Sequence, residues 1–155
     1  MNDDRFMERI VARAAVLAAL WVVAGCPGTS RPDAKSTVHA FFAALHSDDT
    51  TAVQACLDLS AAARSVRDEY PDLFGPSDSL NPDPGATLLI ALSGDGIVRR
   101  RWMEDQIVLG KETVRGDTAL VEVSFIDRVT RVQYYNKMRL EYRTDRWVIT
   151  HFRTP

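Results

Sequence analysis

The sequence predicts an α+β fold, with N-terminal helices packed on a curved, four-stranded antiparallel meander sheet. Three observations carry the prediction. Early in the chain Val38, Phe41, Phe42 and Leu45 fall at i, i+3, i+4 and i+7, the spacing of one helix face. From Glu104 onward the apolar period drops to two, the period of a strand. The alternating runs are joined by turns too short for a crossover helix, so successive strands must run antiparallel.

Size and composition agree. The chain has 155 residues, 46% hydrophobic and 26% charged, enough for one domain with its own core. Those values exclude collagen-like, low-complexity and wholly disordered chains. A net charge of −2 offers no general basic field, so nucleic acid is not an expected partner. Two cysteines cannot build a disulfide scaffold.

Residues 1–25 read as an address. Ala14 to Ala24 is an apolar run of eleven residues after Arg13. As a helix it would span about 16 Å of a bilayer core of about 30 Å, the length of a signal-peptide core and short for a membrane span. It leads into Val23-Ala24-Gly25-Cys26, small residues followed by a cysteine. This resembles a bacterial lipoprotein signal, with Val23 where leucine is commoner. The resemblance implies lipidation at Cys26, a membrane anchor outside the cytoplasm, and a tether over residues 26–32. Asp3, Asp4 and Glu8 cancel Arg5, Arg9 and Arg13, whereas a start at Met7 would give a more basic leader. Met7 is therefore the expected start.

The domain is expected over residues 33–155. Pro32 and Asp33 supply start signals for a helix to Leu45. Ser47-Asp48-Asp49-Thr50 breaks it and caps a second helix whose apolar face is Val53, Cys56 and Leu57, which makes Cys56 a small buried hydrophobe rather than a nucleophile. A short helix follows over Ala61 to Tyr70. Gly75 to Gly85, with three prolines, reads as a loop. Thr87 to Leu92 is apolar throughout, and its period does not decide between helix and strand. Ser93-Gly94-Asp95-Gly96 is a turn.

The strands follow. They are Gln106–Val114, Thr118–Ile126, Arg131–Arg143 and Trp147–Phe152, joined at Arg115-Gly116-Asp117, at Asp127 to Thr130 and at Thr144-Asp145. Ala119, Val121, Val123 and Phe125 share one face, and Val132, Tyr134, Asn136, Met138, Leu140 and Tyr142 another stripe of it. Alternation on the last strand adds Trp147, Ile149 and His151.

The order of elements resembles the nuclear-transport-factor-like superfamily, also called cystatin-like or ketosteroid-isomerase-like, and in particular small bacterial lipoproteins within it. The carriers are Val38-His39-Ala40-Phe41-Phe42-Ala43-Ala44-Leu45, the helix Ala52 to Leu57, the turn Gly116-Asp117-Thr118-Ala119 and the closing Asp145-Arg146-Trp147-Val148-Ile149. The resemblance implies a cone-shaped cavity between sheet and helices. In that superfamily the cavity serves catalysis in some members and ligand binding, protein contact or dimerisation in others.

An enzyme of that kind needs an inward carboxylate as base. None lies on the covered stripes, and Glu112 would face inward only if its strand took the Val108/Val114 register instead of the Ile107/Leu109 one. No catalytic residue is therefore expected. The polar positions Tyr134, Asn136, Tyr142, Trp147 and His151 mark a candidate ligand cavity. His39 and His46, seven residues apart, would stand about 10.5 Å apart along a helix, too far for one zinc. No metal or cofactor is expected. Arg99-Arg100-Arg101 before Trp102 is a candidate contact for anions, read as a solvated edge leading into the first strand.

Charge is divided by segment. Residues 27–97 hold 10 acids and 4 bases, residues 98–155 hold 8 acids and 12 bases. The chain therefore presents two surfaces of opposite sign or one interface between them. The expected function is a membrane-anchored, non-enzymatic binding or accessory module. Its partner would be a small apolar ligand, or a protein on the sheet face, where Arg131, Tyr135 and Arg139 also suit a homodimer. The alternative is a cavity isomerase, dehydratase or cyclase.

Overall fold

A computed structural model describes residues 31–67 and 83–153. The leader, Cys26, most of the tether and the first part of the 75–85 loop lie outside the described residues. Helix α1, Ala34–Ser47, buries Val38, Phe41, Phe42 and Leu45 as the spacing requires. Its first turn is capped by Asp33, whose carboxylate accepts from the Lys35 N–H at 3.0 Å. It ends at Asp48 in the left-handed conformation, φ 58°. Asp49 then caps α2, Thr50–Cys56, through the Ala52 N–H. Cys56 packs half-buried against the core, and burial pushes its thiol above the ordinary value.

Helix α3, Leu59–Arg67, lies against α4, Pro84–Ala91. The ambiguous apolar run is thus helical, and the helix starts inside what reads as loop. Pro84 occupies its first turn, where a missing N–H costs nothing, and Asp83 caps it through the Gly85 N–H. The Gly94–Gly96 turn follows, and then α5, Ile97–Glu104, which alternation does not suggest. Val98 and Trp102, four apart, both point into the core, and the arginines between them favour helix. The arginine run is therefore a helix face and not a strand edge.

The sheet is β1 (Asp105–Arg115), β2 (Thr118–Asp127), β3 (Gln133–Arg143) and β4 (Arg146–His151), antiparallel and in that order. At the β1–β2 hairpin Gly116 takes φ 57°, as a tight turn demands. Ala119, Val121, Val123 and Phe125 of β2 and Met138 and Leu140 of β3 are fully buried beneath the helices. An aromatic cluster of Phe41, Phe42, Trp102, Phe125 and Phe152 fills the centre, with ring centroids 5.2–6.1 Å apart. Residues 32–155 form a compact unit of their own. Among the described residues no helix is long and apolar enough to cross a membrane.

Two β-bulges alter the simple alternation. In β1, Leu109 stands opposite Val123 and Glu112 opposite Val121, so three steps of β1 match two of β2. Ile107 and Leu109 face the helices before the bulge and Glu112 faces them after it. In β4, Ile149 stands opposite Leu140 and His151 opposite Arg139. His151 is thereby turned to the outer face, correcting the inward placement that alternation gives it. Phe152 enters the core in its stead, fully buried.

Candidate binding pocket

The five residues marked as a cavity do not share one. Tyr142 and Trp147 pack edge to face, ring centroids 5.2 Å apart, and the Trp147 indole N–H donates to the Pro32 carbonyl at 2.6 Å. They wedge the start of the domain in place. Tyr134 is eight residues from Tyr142 on the same strand, about 27 Å at about 3.4 Å per residue. Together with Asn136 and His151 it lines a broad, open groove of about 1230 Å³. There the Asn136 amide accepts from the Lys137 N–H at 2.7 Å and donates to the Arg153 carbonyl. Asn136 thus satisfies backbone rather than forming the polar end of a closed cavity.

The arginine triplet is divided as well. Arg99 closes the C-terminal end of α1, with Nε donating to the Leu45 carbonyl (2.7 Å) and Nη2 to that of His46 (3.4 Å). Its Nη1 donates to the Gly94 carbonyl at 2.7 Å, and the Asp48 carboxylate, which holds the Gly94 N–H at 2.7 Å, lies 3.6 Å from Nε. Arg99 is a latch between α1 and the 93–96 turn, its guanidinium committed to three backbone carbonyls and to the Asp48 carboxylate. Arg100 and Arg101 remain exposed.

A second concavity, of about 630 Å³, opens between α1, α5 and β1. Phe42 and Ala43 of α1, Trp102 and Met103 of α5, and Ile107 and Leu109 of β1 make its apolar walls. His39, His46, Asp105 and Arg128 bring polar groups to it, and of these both histidines and Arg128 are exposed. The two histidines, too far apart for one metal, each stand on the rim. Among the described residues no group of three His, Cys, Asp or Glu side chains is placed to hold a metal ion.

Glu112 and Asp105 of β1 both bring carboxylates to this side of the sheet. Glu112, carried inward by the β1 bulge, accepts from the N–H groups of Ala34 (3.3 Å) and Lys35 (3.2 Å) and so caps α1 beside Asp33. Asp105 lines the pocket itself. Burial first, and the neighbouring Asp127 second, push its carboxyl above the ordinary 3.8. Asp127 is held low instead by the N–H groups of Thr130 (2.6 Å) and Val129 (2.8 Å). The Arg128 guanidinium donates to the Asp105 carbonyl at 3.4 Å, closing that corner.

Sequence reasoning misses this pocket because its far wall is α5. The signal was present in Val98 and Trp102 at helical spacing. Trp102 is fully buried, and its indole N–H is the buried side-chain polar atom that has no hydrogen-bond partner among the described residues.

No protein-family profile matches the chain, and no curated protein matches it. Among solved structures, a Campylobacter jejuni protein provisionally named an NTF2-like transpeptidase aligns with 76% of this chain and 97% of its own, at 19% identity and a TM-score of 0.41. The α+β class rests on this chain's own elements: among the described residues, five helices and a four-stranded antiparallel sheet.

Proposed function

We propose that the chain is a lipid-anchored lipoprotein of the bacterial cell envelope whose nuclear-transport-factor-like domain is a non-enzymatic binding or accessory module. It takes a small, largely apolar ligand between α1, α5 and β1. The observation that carries this reading is the concavity of about 630 Å³ with apolar walls and a polar rim, the size and character of small-molecule sites. The anchor is supported by the apolar run ending in Gly25-Cys26. The domain would then work at the membrane, within reach of amphiphiles.

Native mass spectrometry of residues 31–155 purified from cell extract tests it. The expected result is extra mass of a few hundred daltons, kept in Asn136→Leu and lost in Ala43→Trp, which places a ring across the pocket. A bare chain, or adduct mass that survives Ala43→Trp, would overturn the pocket assignment. A doubled mass would move attention to the outer sheet face, where Tyr135 is 78% exposed.

A second reading, an isomerase, dehydratase or cyclase in the same pocket, draws on Asp105. Its raised pKa suits a proton acceptor. Under that reading the recovered compound is chemically altered by wild type and left unaltered by Asp105→Asn.

A further inference from the structure

The last strand stops before its neighbour does. Between β2 and β3 the Asp127 N–H donates to the Val132 carbonyl at 3.0 Å and the Tyr142 N–H to the Asp117 carbonyl at 2.8 Å. The register between those two bonds is unbroken. Even-numbered residues of β3 therefore bond to β2, and odd-numbered ones turn their N–H and C=O groups to the far side. There Arg139, Glu141 and Arg143 meet β4, which ends at His151 opposite Arg139. Phe152 then turns into the core, its N–H and carbonyl both held by the Ser65 hydroxyl of α3.

Residues 133–138 are left with no strand on that side among the described residues. The Lys137 N–H is closed off by the Asn136 side-chain oxygen at 2.7 Å, and the Asn136 amide is pinned to the Arg153 carbonyl. The N–H and C=O groups of Gln133 and Tyr135 and the carbonyl of Lys137 meet no protein group among the described residues. β1, an outer strand, blunts its own free edge with a bulge after Leu109, whereas residues 133–138 carry none. Alongside them lies the groove of about 1230 Å³, walled by Ala61, Arg64 and Ser65 of α3. It shares no lining residue with the pocket between α1, α5 and β1. Its charged side chains are Arg64, Lys137, Arg139 and Arg153 against Glu122 and Glu141. Glu122 lies 3.8 Å from Lys137 and Glu141 3.7 Å from Arg139, exposed pairs that hold little energy, so the groove keeps a surplus of arginine. Asp58, which Arg64 also influences, is already held by Arg143 at 2.7 Å.

We propose that this edge is a docking site for an extended, acidic segment of a partner protein, which adds to β3 as a strand beyond the end of β4. Gln133 and Tyr135 supply four main-chain hydrogen bonds and the Lys137 carbonyl a fifth, and the closed Lys137 N–H marks where the added strand stops. A second copy fits the edge poorly. Two β3 strands paired antiparallel about Tyr135 would set Arg131 of one beside Arg139 of the other, base against base.

Fluorescence anisotropy with labelled heptapeptides tests this on the full chain. One peptide alternates glutamate and valine, a second alternates lysine and valine, and a third is the glutamate peptide methylated on every backbone nitrogen. The glutamate peptide should bind at least about tenfold tighter than the lysine peptide, and the methylated one should not bind. Arg64→Glu with Arg153→Glu should weaken the glutamate peptide about tenfold. Tyr135→Pro, which removes an edge N–H without touching the β2 ladder, should weaken it about fivefold. In wild type, the Gln133 and Tyr135 amides should exchange with solvent freely when alone and slowly with the glutamate peptide bound, an arm that needs no variant to fold. Equal binding of the glutamate and lysine peptides, full binding of the methylated one, or amides left unprotected with peptide bound would each overturn the proposal. So would failure of the glutamate peptide to bind at millimolar concentration. Slow exchange at both amides in the peptide-free chain, together with a doubled mass, would overturn it by giving the edge to a second copy.

Discussion

The two bulged strands, β1 and β4, make the same geometric move with opposite chemical results. In β1 the extra residue lies between Leu109 and Glu112, and the parity change carries an acid under the helices. In β4 it lies between Ile149 and His151, and the parity change carries a base out and a phenylalanine in. Both positions are polar groups that strict alternation would place on the wrong face. The inward acid is tolerated because the N-terminus of α1 needs acceptors there. No acceptor or charge of that kind awaits His151 inside, where Phe41, Trp102 and Phe152 leave room only for apolar atoms. A bulge therefore works as a selector: it decides which residue the core receives, and the core's chemistry decides which bulge is stable.

The largest effect that could break this comparison is at Phe152. Its ring is fully buried and touches Phe41 and Trp102. Phe152→Ala should cost about 3–5 kcal/mol in chemical denaturation, since the ring's contacts are lost and the central cluster cannot collapse around the void. His151→Ala, one residue earlier, should stay within about 0.5 kcal/mol of wild type. Reversed magnitudes would mean that β4 runs without its bulge and that the histidine is the inward residue.

A smaller effect is expected at Glu112. Among the described residues Glu112 is the acceptor for the Ala34 N–H, while the Lys35 N–H also has the Asp33 carboxylate. Glu112→Ala should destabilise the domain by about 1 kcal/mol in the same measurement, with Glu112→Gln retaining part of it. No change would show that the β1 bulge delivers the acid to solvent and not to the helix end.

Much of this was legible in the sequence, and the boundary of legibility is physical. The α1 stripe, the two aspartates that end it and start α2, and the inward face of β2 follow from local spacing and short-range capping, and the structure places them so. The β1 bulge left a trace in Gly110, a glycine inside a strand pattern, whose Cβ would come within 3.1 Å of Glu122 Cβ. The β4 bulge left none, because Trp147 to Phe152 is an unbroken run of strand-forming residues and only the tertiary demand for Phe152 reveals it. The pocket was hidden for a related reason. Its residues come from three separated segments, and three consecutive arginines in α5 obscure the helical spacing of Val98 and Trp102. The role of Arg99 at the carboxyl end of α1 follows only from the tertiary placement of that helix end.

The last contrast lies within β1 itself, between its acid after the bulge and its acid at the start. Glu112 gains two N–H donors on folding, whereas Asp105 meets burial and the Asp127 carboxylate, which together raise its pKa above 3.8. A carboxyl whose folded value lies above its unfolded one favours the native state while protonated. That contribution is complete below about pH 4 and is lost as pH rises through the folded value. At neutral pH the ionised Asp105 is therefore a small liability that the fold carries at the pocket. Asp105→Asn should raise the melting temperature slightly at pH 7, with the gain shrinking to nothing as the pH is brought down to about 4. A mutant less stable than wild type at pH 7 would mean that Arg101 and Arg128 outweigh burial and Asp127, and the group would then be a fixed anion at the pocket instead of a proton acceptor.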